Sequence, residues 1–443
     1  MNYIRMTASI CLLSFCASTQ VGTSAREKVQ VQLQQEYPSL FELYKHLHSH
    51  PELSLYEEQS SARVAQELRD AGYEVTTGVG KHGVVGVLRN GSGPTVLVRA
   101  DMDALPVKEQ TGLPYASTVT TKDAEGQEVP VMHACGHDIH MTCLVGAARV
   151  LSRIKDQWQG ILVVIGQPAE EAGDGAKAMI SDGLFQRFPR PDFGLAIHDD
   201  AELAAGTVGY TRGFSGANVD SVDITVHGVG GHGAKPEKAK DPVVLAAQIV
   251  LGLQTIVSRE VKPGEPVVVT VGAIHGGTKR NIIPDEVHLQ LTVRSYAEDI
   301  RRQTLDAIKR IARGQAFAAG IPDNLLPEVK VHDDSTPALY DDPVLTERLT
   351  RALQGWLGET NLVPKPPSMG GEDFSEFGRT DPKIPICMFN VGGVSPEAVR
   401  QSQQTGKPLP SLHSPFWAPA PEPTIKTGVI TLTASVLALT GKP

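Results

Sequence analysis

Three short apolar runs along the chain share one pattern. Thr95-Val96-Leu97-Val98 leads to Asp101 and Asp103, Ile161-Leu162-Val163-Val164-Ile165 to Glu170 and Glu171, and Phe193-Gly194-Leu195-Ala196-Ile197 to His198. Each run is β-branched and continuously apolar, as expected of a strand covered on both faces of a sheet. Helical periodicity lies between them: in Ile139 to Ile154 the apolar positions Cys143, Leu144, Ala147, Val150 and Leu151 fall on one side. Strand and helix alternate, which predicts an α/β catalytic domain with a mostly parallel sheet and helices on both faces. Ligands of such sheets collect beyond the carboxyl ends of the strands, so three distant segments deliver acids or imidazole to one edge.

The pattern changes near residue 214. Val222, Ile224 and Val226 alternate with polar residues, as do Val287, Leu289, Leu291 and Val293, so these strands have one wet face. With helices over Asp241 to about Arg259 and Glu298 to Ala319, and strands over Val267–Ile274 and Val329–Val331, the order is β-α-β-β-α-β. That is a ferredoxin-like α+β arrangement. The expected division is a catalytic domain of residues 26–213 and 333–443, interrupted by an inserted lid or dimerisation domain of residues 214–332. After the insert, a helix over Pro343–Leu357, an apolar run Ile384–Phe389 and a final helix after Leu412-His413-Ser414 return to the first style.

A length of 443 residues exceeds one ordinary core and agrees with two units. The net charge of −9 argues against nucleic acid and against an anionic membrane surface, which attract basic patches. Residues 1–25 read as a signal peptide: Arg5 is followed by an apolar stretch, Met6 to Ala17, too short to span a bilayer, and then by the small residues Thr23-Ser24-Ala25. An uncleaved anchor or a disordered tail is the alternative. The expectation is therefore an exported protein, periplasmic or secreted, without stable membrane insertion. The three remaining cysteines, Cys135, Cys143 and Cys387, do not make a disulfide framework.

Cys135 and His137 flank Gly136 within Met132-His133-Ala134-Cys135-Gly136-His137-Asp138. In an extended segment residues i and i+2 share a face, and a thiolate with an imidazole suits zinc or another borderline metal. A buried cysteine beside a capping histidine reads equally from the pair alone. Glu170-Glu171 is sharper: adjacent side chains point apart, so one carboxylate can hold a metal while the other serves as a base. A solvated acid pair opening a helix is the alternative. His198 and His413 taken singly are structural or ligating, and Asp101-Met102-Asp103 orients a ligand or caps a helix. Gly228-Val229-Gly230-Gly231-His232-Gly233-Ala234 lacks the lysine and the strand-to-helix setting of a phosphate loop, so a nucleotide is excluded. A histidine on such a loop reads as a close-approach substrate contact or as an exposed turn residue.

Taken together, Arg99-Ala100-Asp101-Met102-Asp103-Ala104-Leu105-Pro106, the segment Met132 to His140, Gln167-Pro168-Ala169-Glu170-Glu171, Gly230-Gly231-His232, Asn281-Ile282-Ile283-Pro284 and Leu412-His413-Ser414 resemble the metallopeptidase family of aminoacylase-1, hippurate hydrolase and the indole-acetyl-amino-acid hydrolases. The likeness runs from about Tyr44 to the C-terminus. It implies two divalent metal ions (zinc, manganese, cobalt or nickel) held by Cys135, His137, Glu171, His198 and His413, with Cys135 standing where other branches have a carboxylate. It implies Glu170 as general base and acid, Asp103 as the residue that orients a ligand, and His232 as an oxyanion contact supplied to a partner subunit. Asn281 and Arg294 would hold the substrate carboxylate, and the protein would be a homodimer. The implied reaction is hydrolysis of the amide of an N-acyl amino acid or small peptide, with Glu170 acting on an activated water. Alternatives are a dipeptidase, an N-acetyl-diamino-acid deacetylase, a non-catalytic binding protein on the same scaffold, or a cysteine hydrolase using Cys135 and His137. The sequence departs from the family at Asp199-Asp200, at Gly233-Ala234-Lys235-Pro236-Glu237 and at Gly370-Gly371, which puts the substrate pocket in doubt rather than the metal centre.

Overall fold

The structure is a computed structural model that describes residues 21–442. The expected signal peptide lies, over residues 1–20, outside the described residues. In chain order the main elements are α1 (Val21–Ser49), α2 (Glu58–Asp70), β1 (Glu74–Val79), β2 (Gly83–Asn90), β3 (Thr95–Asp101), α3 (His137–Arg153), β4 (Gly160–Gln167), β5 (Phe193–Ala204) and β6 (Val208–Tyr210). The second sheet contributes β7 (Asn218–His227), α4 (Pro242–Thr255), β8 (Val267–Gly276), β9 (Glu286–Ser295), α5 (Glu298–Ala318) and β10 (Glu328–Val331). Then come α6 (Pro343–Leu357), β11 (Leu362–Pro364), β12 (Ile386–Val394) and α7 (Pro421–Thr440).

The large sheet has eight strands in the order β1-β2-β4-β3-β5-β12-β6-β11. Its centre is parallel, β4 with β3, β3 with β5 and β5 with β12, while β2 runs against β1 and β4, and β6 runs against β12 but parallel to β11. Every residue of β3 is buried, the charged Arg99 and Asp101 included. One face is covered by α1, α2, α3, α6 and α7 around a core that includes Leu40, Tyr44, Leu144, Trp158 and Val429. The other carries short helices at Gly175–Ser181, Leu184–Arg187 and Ser375–Gly378 over Val85, Leu97, Ile165 and Phe374. Two helical stretches, Pro242–Glu260 and Pro421–Thr440, are long and apolar enough to cross a membrane; the second is a core helix, 72% buried.

The expected boundary at His198 is corrected. β5 does not stop at Ile197 but runs on to Ala204, pairing His198 with Asn390, Asp199 with Val391 and Asp200 with Gly392. Charge inside a sheet is costly unless it is paired. Here both carboxylates have internal partners, so the strand continues through them.

The second sheet is antiparallel throughout, in the order β8-β9-β7-β10, the ferredoxin-like arrangement. Val222, Ile224 and Val226 pair with Leu291, Leu289 and Val287 on the face that α4 and α5 cover. Asp241 caps α4, accepting from the Val243 amide at 2.8 Å, and a π-helical turn, Ile256–Glu260, extends it. Val243, Val244 and Leu251 of α4 and Val257 of that turn stay exposed.

Candidate metal centre

At the carboxyl edge of the large sheet a cavity of about 760 Å³ opens. Cys135, Glu170, Glu171, His198, Arg294 and His413 all line it. Gly136, between Cys135 and α3, takes φ +76, and a β-carbon there would lie 2.2 Å from the Asp199 carboxylate. Glycine thus lets the loop pass close against β5 before the helix starts. His413 arrives from the far end of the chain with a left-handed backbone (φ 65), its amide donating to the Ala134 carbonyl at 2.8 Å.

Five expected ligands converge. Cys135 Sγ is 3.2 Å from His413 Nε2 and 3.6 Å from His198 Nε2. Glu171 Oε1 is 3.5 Å from His413 Nε2 and 3.8 Å from His137 Nε2. Cys135, His137 and His198 form one group whose ligand atoms lie within 4.8 Å of each other; Cys135, Glu171 and His413 form another; and Glu170 joins His137 and Glu171 in a third. The buried Nε2 of His137 and Oε1 of Glu171 have no hydrogen-bond partner among the described residues. An orphaned imidazole nitrogen and carboxylate oxygen beside a thiol and two further imidazoles fit divalent cations better than they fit each other.

The rings are oriented from behind. His198 Nδ1 donates to the Asp199 carbonyl at 2.7 Å, which turns Nε2 toward Cys135. Asp103 Oδ1 lies 3.3 Å from His137 Nδ1. Burial opposes charge on His137, yet Asp101, Asp103 and Glu171 lift its imidazole to about 9. Burial and the carboxylates of Glu171 and Asp199 push the Cys135 thiol well up, a setting that a bound cation would reverse. Burial, with Glu372, Asp373 and Glu171, raises the Glu170 carboxyl well above the usual range.

Several participants escaped the sequence reading. Arg99 is fully buried in β3 and reaches Asp101 Oδ2 at 2.6 Å, Gln167 Oε1 at 2.9 Å, Glu372 Oε1 at 2.9 Å and Asp373 Oδ1 at 3.0 Å. An arginine inside an otherwise apolar strand was the available signal, because it requires internal acids. His140 receives the Asp199 amide on Nε2 at 2.8 Å, so Nδ1 carries the proton it shares with Asp101 at 2.6 Å. Asp199 also accepts from the Trp417 indole at 3.0 Å. The departure at Asp199-Asp200 is thus built into the wall of the site, where Asp200 pairs with Lys365.

The remaining expected residues divide. Arg294 lines the cavity, half-buried, its Nε donating to Thr292 Oγ1 at 3.0 Å, with no carboxylate partner among the described residues. His232 and Asn281 lie together on a two-stranded ribbon of the second sheet's unit, exposed and away from this chain's own cavity.

A parallel-centred sheet with this cluster at its carboxyl edge defines the class as a metallohydrolase. Residues 97–404 match the family described as Peptidase family M20/M25/M40, and the chain belongs to that family. It is 36% identical over 370 residues to thermostable carboxypeptidase 1 of Saccharolobus solfataricus, covering 83% of this chain and 88% of that one. It is 39% identical over 341 residues to the hippurate hydrolase of Campylobacter jejuni, covering 76% and 84%. A solved structure from Bacillus subtilis, described as a dinuclear metal binding peptidase from the M20 family, matches with a TM-score of 0.73 at 27% identity, over 92% of this chain and 99% of that one.

Proposed function

We propose that this protein hydrolyses the amide bond of N-acyl amino acids or small peptides at a two-metal centre. The observation that carries the reading is the convergence of Cys135, His137, Glu171, His198 and His413 with Glu170 beside them. These five residues would hold the ions, and the donor set suits zinc, manganese, cobalt or nickel. When bound, such ions supply Lewis acidity and bring the pKa of a coordinated water down toward about 7.

The chain's own residues do the rest. Glu170 takes the proton from the attacking water and passes it to the leaving amine. Its raised carboxyl, set by burial and by Glu372 and Asp373, suits a group that must both accept and release. Asp103 holds the ring of His137 and so fixes where Nε2 points. Arg294, a cavity guanidinium without an acid of its own, meets the substrate's free carboxylate in bidentate fashion. His232, with Asn281 beside it, serves the neighbouring subunit and stabilises the oxyanion there. This requires a homodimer, supported by the apolar face of Val243, Val244, Leu251 and Val257. In this reading residues 214–332 are an inserted lid and dimerisation unit. The names of the relatives, a carboxypeptidase and a hippurate hydrolase, agree with cleavage of an amide. The apolar segment Met6–Ala17 supports export to the periplasm or beyond.

The test is metal content measured beside turnover on N-acyl amino acids, dipeptides and N-acetyl diamino acids. Expected are two ions per chain, activity lost on chelation and restored by a divalent ion. Activity that survives complete chelation would transfer the chemistry to Cys135. A metal-loaded protein inert on the whole panel would make the chain a binding protein.

A further inference from the structure

The acid pair stands on a turn whose backbone is strained. Ala169 has φ 49, in the left-handed region that a residue with a β-carbon seldom adopts. Leu55 is strained in the same way, with φ 70, more than a hundred positions away in sequence. One carboxylate oxygen joins the two. Glu57 Oε1 accepts from the Leu55 amide at 2.9 Å and from the Ala169 amide at 2.7 Å. Glu57 is fully buried at the start of α2, yet it makes no capping bond to that helix. The next two amides of the turn end on a second buried carboxylate: Glu170 N and Glu171 N donate to the two oxygens of Asp103 at 3.1 and 3.0 Å. Ser54 Oγ donates to the same Asp103 at 2.6 Å, so the segment Ser54–Glu57 and Asp103 form one support. Three consecutive amides, those of Ala169, Glu170 and Glu171, thus finish on two acids drawn from different parts of the chain.

We propose that Glu57 is a positioning residue for the Glu170–Glu171 pair, its carboxylate holding the left-handed turn at Ala169 in the one conformation that aims both acids at the metal centre. Burial and Asp103 push the Glu57 carboxyl up to about 7, while the amides of Ala169 and Leu55 that it accepts pull the other way. The role is to accept two amides at a fixed reach. Glutamine keeps both the reach and one carbonyl acceptor, whereas aspartate keeps the charge but is a methylene short.

The test compares Glu57→Ala, Glu57→Gln and Glu57→Asp by hydrogen exchange across residues 167–172, by metal affinity and by kinetics; the metal and kinetic arms rest on the function proposed above, and the exchange arm does not. In Glu57→Ala and Glu57→Asp, exchange in that segment should rise while the rest of β4 stays protected. Metal affinity or kcat should fall about 10–100-fold with KM within a few-fold, the range for partners that orient metal ligands. Glu57→Gln should restore all three to within several-fold of the parent. If Glu57→Ala fails to accumulate folded, Glu57→Asp against Glu57→Gln carries the comparison alone. Unchanged exchange in both shortened variants, or a Glu57→Gln as impaired as Glu57→Ala, would overturn the proposal. A parent protein that cleaves no amide would sink the proposed function, yet the exchange arm would still decide the clamp.

Discussion

Replacing Glu170 by glutamine should abolish turnover, keep the metal and make the metal-free protein more stable at neutral pH. The side chain keeps its shape and loses its charge and its basicity. Acid–base catalysis contributes about 10²–10⁴-fold, so kcat should fall by that factor, about 2.7–5.5 kcal/mol in barrier height. The stability gain follows from the neighbours. A carboxylate oxygen of Glu170 lies within 4.8 Å of one on Glu171, a separation that costs two ionised acids about 3.5 kcal/mol at an effective dielectric of about 20. His137 lies within the same distance and cancels part of this, leaving a gain of about 1–2 kcal/mol, the usual size when an unfavourable active-site group is removed. The sign with pH is definite. The folded Glu170 carboxyl is raised by burial and by Glu372, Asp373 and Glu171, so its ionisation opposes folding once pH exceeds the unfolded carboxylate range. The advantage of Glu170→Gln should therefore be largest near pH 7 and vanish below about pH 4. Kinetics at saturating substrate, metal analysis and denaturant unfolding of chelated protein at the two pH values measure all three. A kcat within threefold of the parent would refute the assignment as base. Metal loss matching that of Glu171→Ala would make Glu170 a ligand instead.

Arg99→Met should destabilise the chelated protein by about 3–5 kcal/mol at pH 7, because it leaves Asp101, Glu372 and Asp373 buried without their shared cation. Burial alone would raise Asp101, but His137, Arg99 and His140 hold it well below the usual range, so the deficit should shrink as pH falls and the freed carboxylates protonate; a deficit that grows toward pH 4 in unfolding curves would contradict this. Light scattering at micromolar concentration should report a dimer, and His232→Ala should lower kcat by about 10²–10³-fold without changing metal content. A fully active monomer would remove the cross-subunit role.

Residues that act through their own segment were legible in the sequence. The apolar runs of β3 and β4 announced themselves, and the structure sets the acids that follow them, at Asp101 and Asp103 and at Glu170 and Glu171, at or just past the ends of those strands. The proposed ligands His198 and His413 were ambiguous singly, since Cys135 and His413 are 278 positions apart and nothing local links them. The support behind the ligands was less legible still. Arg99 finds Asp373 across 274 positions, and Glu57 finds Ala169 across 112. Such pairs are made by the sheet order, which brings β4, β3 and β5 side by side, and periodicity cannot supply it. Asp199 and Asp200 stood in the sequence only as departures from the family pattern, and only distant partners in Trp417, His140 and Lys365 let the strand run through them.

The same network bears on why a metal belongs here at all. Asp101, Asp103, Asp199, Glu372 and Asp373 are buried, and Glu170 and Glu171 stand over them at the cavity floor, while Arg99 is the guanidinium among them. A low-dielectric site does not tolerate such an excess of anions; they protonate, or they are neutralised. Arg99 neutralises from within the sheet, where Asp101, Glu372 and Asp373 surround it, but it touches neither Glu171 nor Cys135. The imidazoles of His137 and His198, each lifted to about 9 against the pull of burial, show how strongly this edge of the sheet seeks positive charge. Two divalent ions in the cavity would supply it on the side Arg99 cannot reach, returning those imidazoles to the neutral form that binds metal. Charge balance, rather than ligand identity alone, is what joins the buried arginine of β3 to the thiol and imidazoles above it.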